Sequence, residues 1–325
     1  MKKTFKNFVL GATVCTMIPL SSFADEITFA HGANKGNPRY EAANLFAALL
    51  PKCTNGNLTV NVAPSSTMGD DVEMLTSAIS GVINITANSQ GAMAQIVPEV
   101  GALGLPFLFS DLPSAWKVLD GEIGNIIDKK AQEKGLKVLT FWDNGIRNVT
   151  SSKKAILKPG DLKGMKIRTP PDAVSIAIFK ALGANPSALA WSELPTALRS
   201  GAFDGQENPL TNIYSAKLHE ITPYISMTAH QYQSTPVVAS LMWWSSLDKK
   251  TQECVQQSAK RAGWYERGLS LMENKDLRAK MEAEGAKFFD IKDKKPFIEA
   301  TKSVYKDFDK KLGNGFVAKL QAAAK

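Results

Sequence analysis

The stretch Asp161-Leu-Lys-Gly-Met-Lys-Ile-Arg-Thr-Pro-Pro171 carries the clearest local signal in the chain. Apolar Met165 and Ile167 alternate with basic residues, which predicts a short strand with one buried face. The two prolines end this strand just before a helix, so Arg168 lies at the carboxyl end of a strand, where open α/β sheets bind ligands. A guanidinium there can hold a carboxylate with two parallel hydrogen bonds. From its position alone, Arg168 is more often an ordinary surface arginine, so the rest of the sequence has to decide whether it binds a ligand.

Strands and helices alternate on both sides of this stretch, which predicts an α/β fold. Before it come strand 26–30, a helix from Asn37-Pro38, strand 58–62, helix 71–80, strand 82–87, helix 112–119 and strand 137–141. A polar segment, 148–155, then separates a second alternating set: strand 165–169, helices 173–182 and 193–199, and strand 203–206. We interpret the two sets as two α/β lobes.

The segment 248–284 has helical spacing and no proline, and only Gly263 and Gly268 interrupt it. At 1.5 Å per residue it would be roughly 55 Å long, so we expect it to run across both lobes. The apolar stretch 235–241 predicts a strand that returns to the first lobe, and strand 286–290 and two short helices finish the chain. We assign 25–145 plus about 235–270 to lobe I, and 146–234 plus about 271–325 to lobe II.

The first twenty-four residues have the pattern of a secretory signal. Lysines come first, then the mostly apolar segment 8–20, then the small-x-small site Ser22-Phe23-Ala24. Thirteen mostly apolar residues fall short of the roughly 20 that cross a bilayer, so a cleaved signal is favoured over an anchor. We expect the mature chain to begin at Asp25 and to work in the periplasm.

The chain has 325 residues and 44% apolar content, enough for a large core. Of its formal charge of +8, three units come from the lysines of the signal, which leaves +5 without any basic run. A spread positive charge of this size argues against nucleic-acid binding and suits a small anionic ligand.

Three cysteines are present, and Cys15 lies inside the apolar part of the signal. Cys53 and Cys254 remain in the mature chain; export permits a disulfide between them, which we favour over two buried thiols. These two cysteines and three dispersed histidines have no metal-ligand spacing, so no metal is expected.

Several enzyme signatures are missing from the sequence, among them G-x-G-x-x-G, the P-loop, G-x-S-x-G and H-E-x-x-H. Catalytic groups can be scattered along a chain, so a secreted hydrolase remains an alternative. We expect a binding protein that is not an enzyme and has no cofactor.

Five segments together resemble the solute-binding receptors of TRAP transporters: Asp161–Thr169, Gly201–Pro209, Ser215–Glu220, Met68–Asp71 and Gly101–Phe109. The resemblance covers the whole chain after residue 24, in order. It implies a two-lobed fold like that of periplasmic binding proteins, with a hinge and a long helix spanning both lobes. It also implies a receptor that closes on an organic acid and delivers it to a TRAP-type membrane permease.

The resemblance assigns roles to four residues. Arg168 matches the arginine that pairs with the ligand carboxylate, and Asn208 matches a residue that helps to bind the same group; without the family, Asn208 could equally be a turn residue before Pro209. Arg147 matches a second ligand-facing arginine, with a hinge salt bridge as the alternative. Trp191 could wall the pocket, pack in the core, or do both.

Three further residues are weaker candidates for the pocket. Asn88 follows a predicted strand at a position where some acidic-sugar receptors of the family have glutamate, which weakens any assignment of sialic acid. His31, at the end of the first strand, and Gln233, near the crossing between lobes, are the other two, although a lone histidine is more often structural.

We favour a sugar acid such as a uronate or aldonate as the ligand, because polar candidates on both lobes could bind several hydroxyls. A C4-dicarboxylate is second, since Arg147 could hold another carboxylate. We expect a monomer, and a receptor that presents its ligand to a membrane sensor would have the same sequence features.

Overall fold

Helices pack around one mixed sheet in the computed structural model, which describes residues 24–313 and 315–325. In that part of the chain the strands are β1 (Asp25–His31), β2 (Leu58–Ala63), β3 (Ile85–Ala87), β4 (Leu136–Ser151), β5 (Lys166–Thr169), β6 (Asn185–Ala188), β7 (Gly205–Asn208), β8 (Tyr224–Ser240) and β9 (Lys287–Asp290). The α-helices are α1 (Pro38–Cys53), α2 (Asp71–Ile79), α3 (Gln90–Met93), α4 (Pro98–Ala102), α5 (Leu112–Leu119), α6 (Glu122–Gln132), α7 (Ala173–Ala181), α8 (Leu194–Arg199), α9 (Leu210–Ser215), α10 (Leu241–Ser246), α11 (Lys249–Ala283), α12 (Lys295–Leu312) and α13 (Phe316–Ala323).

Among the described residues, no helix combines the length and the apolar character that crossing a bilayer requires. The predicted export signal, residues 1–24, lies outside the described residues except for Ala24.

The two longest strands, β4 and β8, run antiparallel at the centre of the sheet. The strand order is β2-β1-β3-β8-β4-β7-β5-β6, and β9 also pairs with β8. The strand β1 is parallel to β2 and β3, and β5 is parallel to β6 and β7. Because β3 joins the C-terminal end of β8 and β7 joins the C-terminal end of β4, the two parallel groups lie at opposite ends of the central pair. This is the two-lobed α/β arrangement that the sequence predicts.

The strands β4 and β8 pass from one lobe to the other, and their pairing is irregular there. The register shifts between Asp143 and Gly145 and again between Arg147 and Val149, and Gly145 has a φ of +115°, which favours glycine. The predicted lobe limits at 145/146 and about 234/235 fall inside these two strands, and the limit near 270/271 falls inside α11. The limits themselves stay a prediction.

Both crossing strands are longer than predicted. The sequence ended the first at 141 and began the second at 235, whereas β4 continues to Ser151 and β8 begins at Tyr224. Their polar residues are buried and bonded inside the sheet: the Thr150 hydroxyl lies 2.7 Å from that of Thr222 and accepts from Gln206 Nε2 at 2.9 Å. The polar composition therefore reflects a buried hydrogen-bond network and not a linker. The strand β6 was not predicted from the sequence. Both helices at the end of the chain were predicted to be short, but α12 has 18 residues.

The helix α11 is continuous over 35 residues, about 52 Å at 1.5 Å per residue. Its N-cap is Asp248, whose carboxylate accepts from Thr251 N at 3.0 Å. Gly263 allows close packing on β4, because a Cβ at this position would lie 2.7 Å from Trp142 Cδ1. The Trp142 indole donates to Ala259 O at 3.1 Å and joins the helix to the sheet at the same place.

Cys53, the last residue of α1, forms a disulfide with Cys254 near the start of α11, across a sequence separation of 201 residues. Their Cα atoms are 5.6 Å apart. This is the pairing that the sequence predicts, and it joins the first helix of lobe I to the long helix.

Candidate ligand-binding site

A cleft of about 610 Å³ lies where the parallel strands end. Its walls include the residues that follow β1 and β3 on one side, and the carboxyl ends of β5, β6 and β7 on the other. The polar and aromatic residues that line it include Asn37, Arg39, Asp70, Asp71, Ser89, Asn144, Arg147, Arg168, Trp191, Ser192, Asn208 and Asn212. The cleft therefore occupies the sheet edge at which the sequence places Arg168.

Arg168, in β5, is only 2% exposed, and within residues 24–313 and 315–325 its charge has no counter-ion. Its Nε and Nη2 donate to Leu189 O at 3.0 and 2.6 Å, while Nη1 has no acceptor among the described residues. In the same part of the chain no carboxylate lies within 4.0 Å of it. Burial, and then the charge of Arg147, lowers the pKa of Arg168 to about 10, so the side chain stays a cation at neutral pH.

Arg147 also lines the cleft, but its charge is compensated. Its guanidinium donates to both carboxylate oxygens of Glu207, to Glu207 O at 2.6 Å and to Gln233 Oε1 at 2.9 Å. Four of the five N–H groups of an arginine are then used. The structure therefore contains the buried salt bridge that the sequence left as the alternative for this residue.

Asn208, the last residue of β7, belongs to a chain of amide side chains. It donates to Gln206 Oε1 at 2.6 Å and accepts from Asn212 Nδ2 at 3.1 Å. Asn212 accepts in turn from Asn37 Nδ2 at 2.9 Å, and Asn37 is the N-cap of α1. This chain of amides crosses from one side of the cleft to the other and supplies donors and acceptors without net charge.

Trp191 lines the cleft and is partly buried against the apolar cluster around Leu194 and Ile213. A Cβ on Gly32, from the other side of the cleft, would lie 3.7 Å from Trp191 Cδ1. The indole thus has both of the roles that the sequence offered, a wall of the pocket and a part of a core.

Asn88, His31 and Gln233 are fully buried and are not among the residues that line the cleft. Asn88 Nδ2 donates to Asp71 O at 2.9 Å and to Asp71 Oδ1 at 3.3 Å, and Gln233 accepts from Arg147. His31 Nδ1 accepts from Ala33 N at 3.1 Å, and burial, followed by the Arg39 charge, lowers the pKa of His31 to about 3. In the structure these three residues contact lining residues or the backbone behind the wall of the cleft, and their contact with a ligand stays a prediction.

Two features of the cleft were missed from the sequence. Arg39 reaches it from the first turn of α1, and it could have been found by the rule used for Arg168, since that turn follows the carboxyl end of β1. The second feature is a contact across the mouth of the cleft. Asp70, the N-cap of α2, accepts from the Ser192 hydroxyl at 2.5 Å and from Ser192 N at 3.3 Å. No local pattern predicts this contact, because its partners are 122 residues apart.

Residues 29–311 match the sequence profile of the family described as bacterial extracellular solute-binding protein, family 7, or DctP. The chain belongs to this family. It is 32% identical over 304 residues to the 2,3-diketo-L-gulonate-binding periplasmic protein YiaO of Escherichia coli, covering 94% of this chain and 92% of that protein. A longer relative, the uncharacterized protein y4mM of Sinorhizobium fredii, is 43% identical over 297 residues, 91% of this chain, and the chain spans 55% of its length.

Solved structures of DctP-type proteins have the same fold. The sugar acid binding protein DctPAm of Advenella mimigardefordensis, solved with galactonate, superposes with a TM-score of 0.90 at 31% identity and covers 93% of this chain and 98% of its own. A TRAP periplasmic solute binding protein of Sulfurospirillum deleyianum, solved with succinate, has a TM-score of 0.87 at 33% identity, covering 92% and 98%.

Membership of the DctP family establishes the class of protein. DctP proteins are TRAP-type receptors that bind small acids and work with a membrane permease, and they are periplasmic binding proteins, not enzymes. The present chain is therefore a solute-binding protein of this type, and a carboxylate ligand fits its cleft.

Proposed function

We propose that this protein binds a hydroxylated monocarboxylate, a sugar acid of the aldonate or uronate kind, and delivers it to a TRAP-type permease. We further propose that residues 1–24 direct it to the periplasm and that it acts as a monomer. The observation that carries the proposal is the buried Arg168 guanidinium, which lines the cleft and has no counter-ion among the residues that the structure describes. A buried cation of this kind is costly unless an anion completes it, and a ligand carboxylate would do so.

The remaining groups of the cleft favour hydroxyls over a second carboxylate. Arg147 was the candidate for a second carboxylate, but Glu207 already neutralises it. Four acidic side chains line the cleft, namely Asp70, Asp71, Glu73 and Glu193. Carboxylates accept hydrogen bonds from hydroxyls and repel other carboxylates, so a ligand with one charge and several hydroxyls suits them better than a dicarboxylate. The similar structure solved with galactonate supports a sugar acid, and the similar structure solved with succinate supports the alternative, a C4-dicarboxylate.

A thermal-shift screen of uronates, aldonates and C4-dicarboxylates tests the proposal, because a receptor gains stability in proportion to its occupancy. The wild type should be stabilised most by a sugar acid, and Arg168→Ala should lose that stabilisation. The exposed Arg199 at the end of α8 gives a matched control, since Arg199→Ala removes the same charge away from the cleft. An Arg168→Ala variant that sugar acids stabilise as well as the wild type would show that the anchor is wrong. If dicarboxylates stabilised the wild type best, the ligand would be a dicarboxylate and not a sugar acid.

A further inference from the structure

Four arginines are buried in the described part of the chain: Arg39, Arg147, Arg168 and Arg267. Two of them are paired with carboxylates, Arg147 with Glu207 and Arg267 with Asp120. The other two, Arg39 and Arg168, have no carboxylate within 4.0 Å among the described residues, and both line the same cleft. The cleft therefore contains two buried cations without counter-ions.

The hydrogen bonds of Arg39 leave part of its guanidinium free for another partner. Nη2 donates to Asn144 Oδ1 at 3.1 Å and to Thr235 Oγ1 at 2.7 Å. Nε is buried without any acceptor, and Nη1 has none among the described residues. Arg168 is similar at Nη1, which also has no acceptor among the described residues, but both its Nε and its Nη2 donate to Leu189 O. A buried donor without an acceptor costs free energy, and a ligand oxygen would remove that cost.

Asp71 is an acidic residue that lines the same cleft as Arg39 and whose charge acts on the Arg39 guanidinium. Its carboxylate lines the cleft and accepts from Ser89 N at 3.1 Å and from Asn88 Nδ2 at 3.3 Å. Burial lowers the pKa of Arg39, and the Asp71 charge is the largest influence that opposes this. No hydrogen bond joins Arg39 to Asp71 in the described structure, so both remain available to a third group.

We infer that Arg39 and Asp71 together recognise a hydroxyl of the ligand, so that Arg39 sets the specificity for hydroxylated monocarboxylates. This inference rests on the proposed function and adds a second recognition point to it. A hydroxyl accepts from Arg39 and donates to Asp71, whereas a second carboxylate would accept from Arg39 and be repelled by Asp71. The two residues thus explain how one cleft can bind sugar acids and disfavour dicarboxylates.

The competing explanation is that Arg39 only joins α1 to β4 and β8 through Asn144 and Thr235. A structural role of that kind would change the stability of the protein and weaken all ligands alike. A recognition role would weaken hydroxylated ligands selectively. Comparing ligands that share a carboxylate and differ in hydroxyls separates the two explanations.

The experiment measures the Kd of D-galactonate, hexanoate and succinate by calorimetry for the wild type, Arg39→Gln, Arg39→Lys and Asp71→Asn. We expect Arg39→Gln to weaken D-galactonate by about 10- to 100-fold, the range for a hydrogen bond to a charged group, and to change the Kd of hexanoate by less than about 3-fold. Asp71→Asn should lower the preference for D-galactonate over succinate. Arg39→Lys keeps the charge and gives a second reading if the Gln variant folds poorly, which circular dichroism of the free protein would reveal.

Three outcomes overturn the inference. Wild-type Kd values for D-galactonate in both Arg39 variants would exclude a ligand contact. Equal weakening of D-galactonate and hexanoate would assign Arg39 a structural role. An unchanged ratio of the D-galactonate and succinate Kd values in Asp71→Asn would remove Asp71 from the recognition of hydroxyls. A wild type that binds no sugar acid would instead contradict the proposed function itself.

Discussion

Arg147 and Glu207 form a salt bridge whose two side chains are 2% and 0% exposed. Burial acts to raise the pKa of Glu207, but the Arg147 charge and the hydrogen bonds from His230 and Arg147 outweigh it and hold this pKa below its usual range. His230 Nε2 lies 3.3 Å from the same carboxylate. Because the pair neutralises itself beside the irregular part of β4, it leaves Arg39 and Arg168 as the arginines of the cleft that have no carboxylate partner among the described residues.

Removing one partner of this pair should destabilise the protein strongly. We expect Glu207→Gln to lower the free energy of unfolding by about 3–5 kcal/mol, because the Arg147 charge would stay buried without a counter-ion. Urea unfolding followed by tryptophan fluorescence measures this. The control is Asp290→Asn, which breaks an exposed pair with Arg278 and should cost no more than about 1 kcal/mol. Equal costs for the two variants would mean that the buried pair carries no special stability.

The disulfide between Cys53 and Cys254 should stabilise the fold without affecting the ligand. Neither cysteine lines the cleft, and the bond joins α1 to α11. Replacing both by serine should cost about 2–4 kcal/mol, chiefly through a less constrained unfolded chain, and leave the Kd for the ligand unchanged. The wild type measured with and without a reductant provides the comparison. A double variant that loses ligand affinity would show that the bond also positions the cleft.

The sequence predicted those parts of the fold that depend on local patterns. Three local patterns predicted elements close to those observed. They are the alternation around Ile167 for β5, the N-cap and proline at the start of α1, and the proline-free run of α11. The C-terminal end of β4 and the N-terminal end of β8 were predicted wrongly, because the polar residues there are buried against partners far away in the chain, such as Gln206 beside Thr150. Hydropathy reflects the local composition of a segment, and it does not show which distant residues will bury and hydrogen-bond its polar side chains.

In the candidate site too, local features could be predicted from the sequence and long-range contacts could not. The position of Arg168 follows from a strand end and a proline pair, which are local features. Whether an arginine is neutralised depends on long-range contacts: Arg147 pairs with the carboxylate of Glu207, 60 residues away, whereas Arg39 bonds the uncharged hydroxyl of Thr235, 196 residues away. A sequence without its fold can therefore locate the edge of the sheet that binds the ligand, but it cannot say which of several arginines keeps its charge for the ligand.

The contact between Ser192 and Asp70 should hold the two sides of the cleft together. Ser192→Ala removes the hydroxyl donor and leaves the longer backbone hydrogen bond at 3.3 Å. We expect the Kd of the ligand to rise by about 2- to 10-fold, mainly through faster dissociation, because one exposed hydrogen bond across the mouth is lost. Stopped-flow or surface plasmon resonance measures the two rates. Ser200→Ala removes an exposed hydroxyl bonded only within its own segment and should change neither rate. Identical rates in both variants would show that the contact has no part in retaining the ligand.

Glu266 is a buried acid on α11 that faces Asp143 of β4. Its carboxylate accepts from Asp143 N at 2.7 Å and from the Ser270 hydroxyl at 2.9 Å. Burial, and then the Asp143 charge, raises the pKa of Glu266 to about 8, although the charge of Arg39 acts in the opposite direction. Burial likewise raises the pKa of Asp143 to about 6, against the opposing influences of Trp116, Tyr232 and Arg267. Glu266 is therefore protonated in the folded protein at neutral pH.

The free energy of unfolding should fall as the pH rises toward 8. Between the usual carboxyl pKa of about 4.5 and the raised value of about 8, the folded chain keeps a proton on Glu266 that the unfolded chain has released. Raising the pH therefore favours unfolding by at most about 1.4 kcal/mol per pH unit for this proton, and the stabilisation, complete below about 4.5, is gone above about 8. Glu266→Gln keeps both hydrogen bonds, because its amide can donate to Ser270, and it should flatten the slope. Urea unfolding between pH 5.5 and 8.5 measures the slope, with the exposed Glu253→Gln on the same helix as the control. A Glu266→Gln variant with the wild-type slope would mean that Glu266 is already ionised in the folded protein.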